Sequence, residues 1–270
     1  MAARLVDVGD ARLELLDWGS GEPVVFVQTA LTADELLPLA MDPALEAGYR
    51  KILYHRRGYA GSSSVDGSGS ITRDAADCRA LMAALSVDRA HIVGYSYSGA
   101  VGLQVAADAP ASTHSLILVE PPPVHTPCAK EFRAANDRLL RTRRELGPAV
   151  ALDEFLALVI GPSWRAIVED RIPGAATQME LDVHTFFDTD LPALLDWRFT
   201  LADARRIACP VLYIGATESG SWFAEVRALM QEWVPHGDQV TVEKADHSLT
   251  LTHTPLVADA LVTFLRRHPL

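Results

Sequence analysis

The stretch V93-G-Y-S-Y-S-G-A-V-G-L103 decides how the chain is read. It joins an apolar β-rich run, AHIVG, to a segment with helical spacing. Three glycines and two serines are packed around that junction. Ser96 falls at the apex of the strand-to-helix turn, with the small residues Gly94 and Ser98 two positions away on either side. A hydroxyl exposed on so tight a turn takes a strained backbone, and only small neighbours let strand and helix pass that closely. The helix start behind it aims the amide of Tyr97 at whatever the hydroxyl attacks.

On both sides of this turn, β-rich runs alternate with helix-period segments. ARLVDV and RLELLDW, joined around Gly9-Asp10, read as an antiparallel hairpin. PVVFVQ (Pro23–Gln28) is continuously apolar, as a strand buried on both faces is. ADELLPLAMDPALEAG reads as helical, and YRKILYH (Tyr49–His55) as a strand. Ser70 caps a helix whose apolar face is Ile71, Ala75, Cys78, Leu81, Met82 and Leu85. HSLILV (His114–Val119), CPVLYIG (Cys209–Gly215) and QVTVEK (Gln239–Lys244) supply the remaining strands. The expectation is an α/β fold, a mostly parallel eight-stranded sheet with helices on both faces. One stretch, residues 124–206, departs from the alternation and is helical and loop-like only. It opens at Pro121-Pro122-Pro123, closes at Cys209-Pro210, and reads as a helical cap over the carboxyl ends of the strands. Residues 1–123 and 207–270 then form the core domain.

This layout resembles the α/β-hydrolase family, whose nucleophile elbow is G-x-S-x-G, here with Ser98 in place of the last glycine. The resemblance covers almost the whole chain and implies a serine hydrolase, with Ser96 as nucleophile. The family places its histidine after the last strand, and QVTVEKADHSL puts His247 there. His253, six residues on, is poorly placed to share that role. For the acid, Glu120 in ILVEPPP and Glu218 in YIGATES both end strands near the histidine loop. Glu120 is the preferred one, pinned by the triple proline, with Glu218 as the alternative. HRRGYAGSS (His55–Ser63) resembles the family's D-x-R-G-x-G-x-S segment, with His55 for the aspartate and Ala60 for a glycine. That loop is expected to brace the site rather than to react. After the first parallel strand the family has His-Gly, whereas this chain has Gln28-Thr29. The oxyanion donors implied are the amides of Ala30 and Tyr97, with Gln28 and Thr29 as candidate substrate contacts. Trp164, Phe186, Phe187, Trp197 and Trp222 are the aromatic candidates for an apolar substrate pocket. Aspartate-nucleophile members of the family, haloalkane dehalogenases and epoxide hydrolases, are excluded by a serine at position 96.

Composition narrows the partners. The net charge of −11, from 24 basic and 35 acidic residues, argues against nucleic acid and anionic membrane surfaces. The three cysteines, Cys78, Cys128 and Cys209, are widely spaced and suit buried reduced thiols of a cytoplasmic protein. Neither a signal-peptide pattern nor a membrane-length apolar run is present. Asp246, His247 and His253 have no metal-ligand spacing, and no metal or cofactor is expected. The reading is therefore a hydrolase of a small apolar ester or lactone, and its assembly is compatible with a homodimer. Alternatives on the same site are a biosynthetic cyclase, a C–C hydrolase or a perhydrolase. A non-catalytic binding protein on the same fold stands behind both.

Overall fold

The computed structural model describes residues 2–270. Its eight strands are β1 (Arg4–Asp7), β2 (Arg12–Gly19), β3 (Glu22–Val27), β4 (Tyr49–Tyr54), β5 (Ala90–Tyr95), β6 (Thr113–Val119), β7 (Val211–Ala216) and β8 (Asp238–Val242). They form one sheet in the order β1-β2-β4-β3-β5-β6-β7-β8. The β1–β2 hairpin is antiparallel, with Val6 opposite Leu13, and β2 runs antiparallel to β4. From β4 to β8 all pairings are parallel.

Alternation along the central strands fills two apolar layers. Val25, Val27, Ile92, Leu116 and Leu118 face the helices Ile71–Ala84, Tyr97–Asp108 and Gly220–Trp233. Val24, Phe26, Val93, Ile117 and Val119 face the helix Thr254–Arg267 on the other side. Because both faces are covered, these strands read as unbroken apolar runs. Ser70 does cap its helix, accepting from the Arg73 amide. The three cysteines are free and buried.

The segment after β3 differs from its sequence reading. Instead of one helix it forms a short one, Leu37–Ala40, and a single 3₁₀ turn, Pro43–Leu45. Pro43 forces Asp42 into an extended conformation (φ −59°, ψ 135°) and ends the helical run.

Between β6 and β7 the chain is helical, as its sequence suggested: Ala129–Leu146, Pro148–Val159, Trp164–Arg171, Ala175–Thr185 and Leu191–Asp196, then the short Leu201–Ala204. A wide π-turn, Phe186–Asp190, interrupts the series. This insertion has its own apolar cluster, including Leu139, Leu152, Trp164, Met179 and Phe187, into which Leu31 and Leu251 reach from the sheet side.

The strand order sets where a site can form. From β3 the chain moves one way to β4, then returns across β3 to β5. The loops after β3 and β5 therefore diverge from neighbouring strand ends, opening a crevice at the switch point of the sheet.

Candidate active site

Ser96 follows β5 directly and has φ 50° and ψ −121°, a conformation that an L-residue keeps only when its surroundings enforce it. Its amide donates to the Val119 carbonyl of β6 at 3.0 Å, which ties the turn to the sheet. A Cβ on Gly94 would collide with the Ser98 carbonyl, and one on Gly99 would lie 2.8 Å from Pro121 Cβ. The close approaches are thus made at Gly94 and Gly99. Ser98 is tolerated where the family has glycine because its buried hydroxyl accepts from the Tyr95 amide (2.9 Å) and donates to the Tyr95 carbonyl (3.0 Å).

His247 comes from the loop after β8 and lies beside this turn, with Nε2 3.1 Å from Ser96 Oγ. Its other nitrogen, Nδ1, is 2.8 Å from Glu120 Oε2. The ring is stacked on Phe223 (centroids 4.1 Å apart, planes at 22°), and its backbone carbonyl accepts from the Tyr95 hydroxyl at 2.6 Å. Glu120 is wholly buried and has φ 40°. Its carboxylate also accepts from the Ala216 amide (2.9 Å) and the Ser219 hydroxyl (2.8 Å). An acceptor-only carboxylate at Nδ1 places the proton there and leaves Nε2 free to accept from the serine hydroxyl. Glu218, the alternative acid, is exposed, and its amide donates to the Ala245 carbonyl at 2.8 Å.

The loop after β3 lies opposite. The Thr29 hydroxyl donates to the Tyr95 carbonyl at 2.8 Å, a strut between the two loops that a glycine could not supply. Gln28 is buried and accepts from the Arg56 amide through Oε1 at 2.7 Å, so it contacts the chain rather than a cavity. Arg56 in turn donates to the carbonyls of Gln28 (3.0 Å) and Thr29 (3.3 Å). Leu31 takes a positive φ of 64° and donates its amide to the Tyr59 hydroxyl. The amides of Ala30 and Tyr97 donate to no protein acceptor among the described residues, and both residues border the cavity that Ser96 and His247 share. Two free amides beside a nucleophile suit a developing oxyanion.

Arg56 is the centre of a buried network that sequence reading missed. It pairs with Asp74 (2.9 Å) and with Asp190 of the π-turn (3.0 Å), and its guanidinium lies 4.2 Å from the Tyr97 ring centroid. The hydroxyls of Tyr97 and Tyr59 donate to Asp74 and Asp190. Burial opposes the guanidinium charge, but the two carboxylates more than offset it, so Arg56 stays protonated. The doubled arginine in HRRG was the one available signal, since Asp190 sits in a stretch without pattern. Neighbouring Arg57 instead grips Asp77 and Asp10. His55 sits between Glu14 and Asp34 at 2.9 and 3.0 Å, a bracing position. Ser219 and Phe223 were also missed, as was Glu35. That buried glutamate accepts from Thr250 and borders a narrow cleft with Ser96 and His247.

Access to the pair has two parts. A vestibule of about 390 Å³ runs between residues 157–161 of the insertion and residues 218–223, with His247 at its floor. A smaller, mainly apolar chamber lies against Ser96, walled by Pro122, Phe132, Phe155, Phe186, Leu191 and Trp222 among others. Of the aromatic candidates, Phe186 and Trp222 line this chamber. Trp164, Phe187 and Trp197 do not: the first two pack inside the insertion, and Trp197 joins the sheet-side core with its indole N–H donating to Gln104 at 2.9 Å. Large aromatic rings in a helical layer are taken up first by its own core.

This fold and this turn define an α/β-hydrolase architecture. The alpha/beta hydrolase family model matches residues 18–260, and the chain belongs to that family. It is similar to a protein of Klebsiella pneumoniae (strain 342) named as a carbamate hydrolase, RutD, with 26% identity over 239 residues, 86% of this chain and 87% of that one. Among solved structures it resembles a thermophilic esterase from Thermogutta terrifontis, with a TM-score of 0.82, 19% identity and full coverage of both chains. It also resembles the enol-lactonase of Burkholderia xenovorans LB400, with a TM-score of 0.80, 20% identity and coverage of 97% and 100%.

Proposed function

We propose that the protein is a serine hydrolase that cleaves a small ester or lactone with an apolar acyl part through an acyl-enzyme. The reading rests on one observation, the unbroken chain of contacts from Ser96 Oγ through His247 to the buried Glu120 carboxylate. Ser96 attacks the carbonyl carbon while His247 Nε2 takes the hydroxyl proton. Glu120 holds the imidazole in the required tautomer and stabilises its charged form. The amides of Ala30 and Tyr97 receive the oxyanion, each such donor contributing ~2.7–4 kcal/mol to the transition state. His247 then passes the proton to the leaving alkoxide, and a water, activated in the same way, releases the acid. The helical insertion serves as the cap that shapes the acyl chamber and keeps bulk water from it.

The likeness to a protein named for carbamate hydrolysis supports a second substrate class, since a carbamate carbonyl can enter the same steps with a nitrogen substituent. The test is labelling with a fluorophosphonate probe, with the adduct located by peptide mass spectrometry. An adduct on Ser96 that is lost in both Ser96→Ala and His247→Ala is the expected result. Folded protein that carries no adduct would refute the reading. A panel of esters, lactones and carbamates then separates the two substrate classes.

A further inference from the structure

The acyl chamber has a mainly apolar wall, and one amide side chain is set into it. Asn136 lies on the helix Ala129–Leu146, on the same face as Phe132, Ala135 and Leu139, and is 2% exposed. The other two buried positions of that helix, Ala135 and Leu139, are apolar, and leucine at 136 would favour both the helix and the burial. A buried amide in such a place calls for a partner for each of its polar atoms. Only one is met within the chain: Nδ2 donates to the Phe132 carbonyl one turn back, at 2.8 Å. That bond fixes which way the amide points, because the nitrogen alone can donate. Oδ1 has no protein donor among the described residues, and Asn136 lines the chamber together with Ser96 and His247. Of the other polar groups in that lining, the Tyr97 hydroxyl is committed to Asp74 and His247 to Glu120 and Ser96, and the Trp222 indole N–H can only donate, so Oδ1 is the acceptor left without a partner.

We propose that Asn136 is a specificity-determining residue, its Oδ1 accepting a hydrogen bond from a neutral donor on the substrate's acyl chain, a hydroxyl or an amide N–H. This deepens the serine-hydrolase reading and rests on it. The substrate class becomes an acyl ester or lactone that is apolar overall and carries a single donor. A purely hydrocarbon chain would leave Oδ1 desolvated and unpaired, and a keto group would set two acceptors against each other.

The experiment compares ethyl hexanoate, ethyl 3-hydroxyhexanoate and ethyl 3-oxohexanoate on the full chain by pH-stat. In the native protein kcat/KM for the hydroxy ester is expected to exceed both others by about tenfold, the discrimination of one neutral hydrogen bond. In Asn136→Leu, which suits the helix, the ratio should fall to near unity, with fluorophosphonate labelling of Ser96 confirming an intact fold. Equal rates on the three esters in the native protein, or a preference that survives in Asn136→Leu, would overturn the assignment. If none of the esters is turned over, the hydrolase reading is decided separately by fluorophosphonate labelling of Ser96. The same ratios are then read as Kd by calorimetry on Ser96→Ala and Ser96→Ala/Asn136→Leu, with the same outcomes deciding.

Discussion

Ser96, Glu120 and His247 stand in three loops, after β5, β6 and β8. Ser96 and Glu120 both adopt positive φ, at 50° and 40°, stabilised by backbone bonds to the adjoining strands. The two candidate acids differ most in their surroundings. Glu120 is sealed in the interior with its carboxylate bonded to His247, Ala216 and Ser219, whereas Glu218 is exposed at the vestibule. Glu120→Gln is expected to lower kcat by roughly 10³–10⁴, because the amide no longer enforces the imidazole tautomer. Glu218→Gln should stay within about threefold. Steady-state kinetics of the two variants checks this, and a reversed order would move the acid to Glu218. The steric reading of the turn is tested at Gly94. Gly94→Ala meets the Ser98 carbonyl and is expected to destabilise the fold by ~2–4 kcal/mol in urea unfolding.

Among the elements, the π-turn Phe186–Asp190 joins most functions in the fewest residues. Phe186 faces the apolar chamber beside Ser96, Phe187 fills the core of the insertion, and Asp190 reaches Arg56 beneath the loop after β3. An ordinary helical turn would rotate one of these three away from its partner, and extra residues of this kind recur where a helix must aim side chains. Arg56 holds the carbonyls of Gln28 and Thr29, so the carboxylate from the insertion helps set the loop that carries the Ala30 amide. Asp190→Asn removes one of the two charges facing a buried guanidinium. It is expected to reduce stability by about 3 kcal/mol and to lower kcat more than it raises KM. Urea titration and kinetics on the variant measure both effects, and unchanged kcat would detach the network from the site.

For the molecule as a whole, His55 links strand β2, through Glu14, to the loop after β3, through Asp34. Burial by itself would hold its imidazole neutral, but hydrogen bonds and charges from Asp34 and Glu14 outweigh that, and its pKa is raised. A group with a raised folded pKa contributes stability that is full below its unfolded pKa, about 6.5, and fades as pH climbs through the folded value. The native protein should therefore lose unfolding free energy as pH rises from about 6.5 through the raised folded value. His55→Gln, lacking the titration, should show a flatter profile over the same range. Denaturant unfolding at a series of pH values compares the two, and parallel profiles would exclude His55 as the source. No helix of the described residues is long and apolar enough to cross a membrane.

The order of elements, the burial of the central strands and the turn at Ser96 could be read from the chain because each has a local cause. Alternation, apolar runs and small residues at a tight turn act between near neighbours, so composition and spacing carry them. The preference for Glu120 over Glu218 had a similar local basis, since the triple proline fixes the chain beside it. The linear pattern left open how Gln28-Thr29 replaces His-Gly, which aromatic rings face a cavity, and what neutralises Arg56. Those depend on partners far along the chain: Thr29 with Tyr95, Trp197 with Gln104, Arg56 with Asp190. A side chain of the right type reads the same whether it ends in a core or in a cleft. Only the packing of the insertion against the sheet settles which, because burial and hydrogen bonding are properties of assembled surfaces and not of single residues.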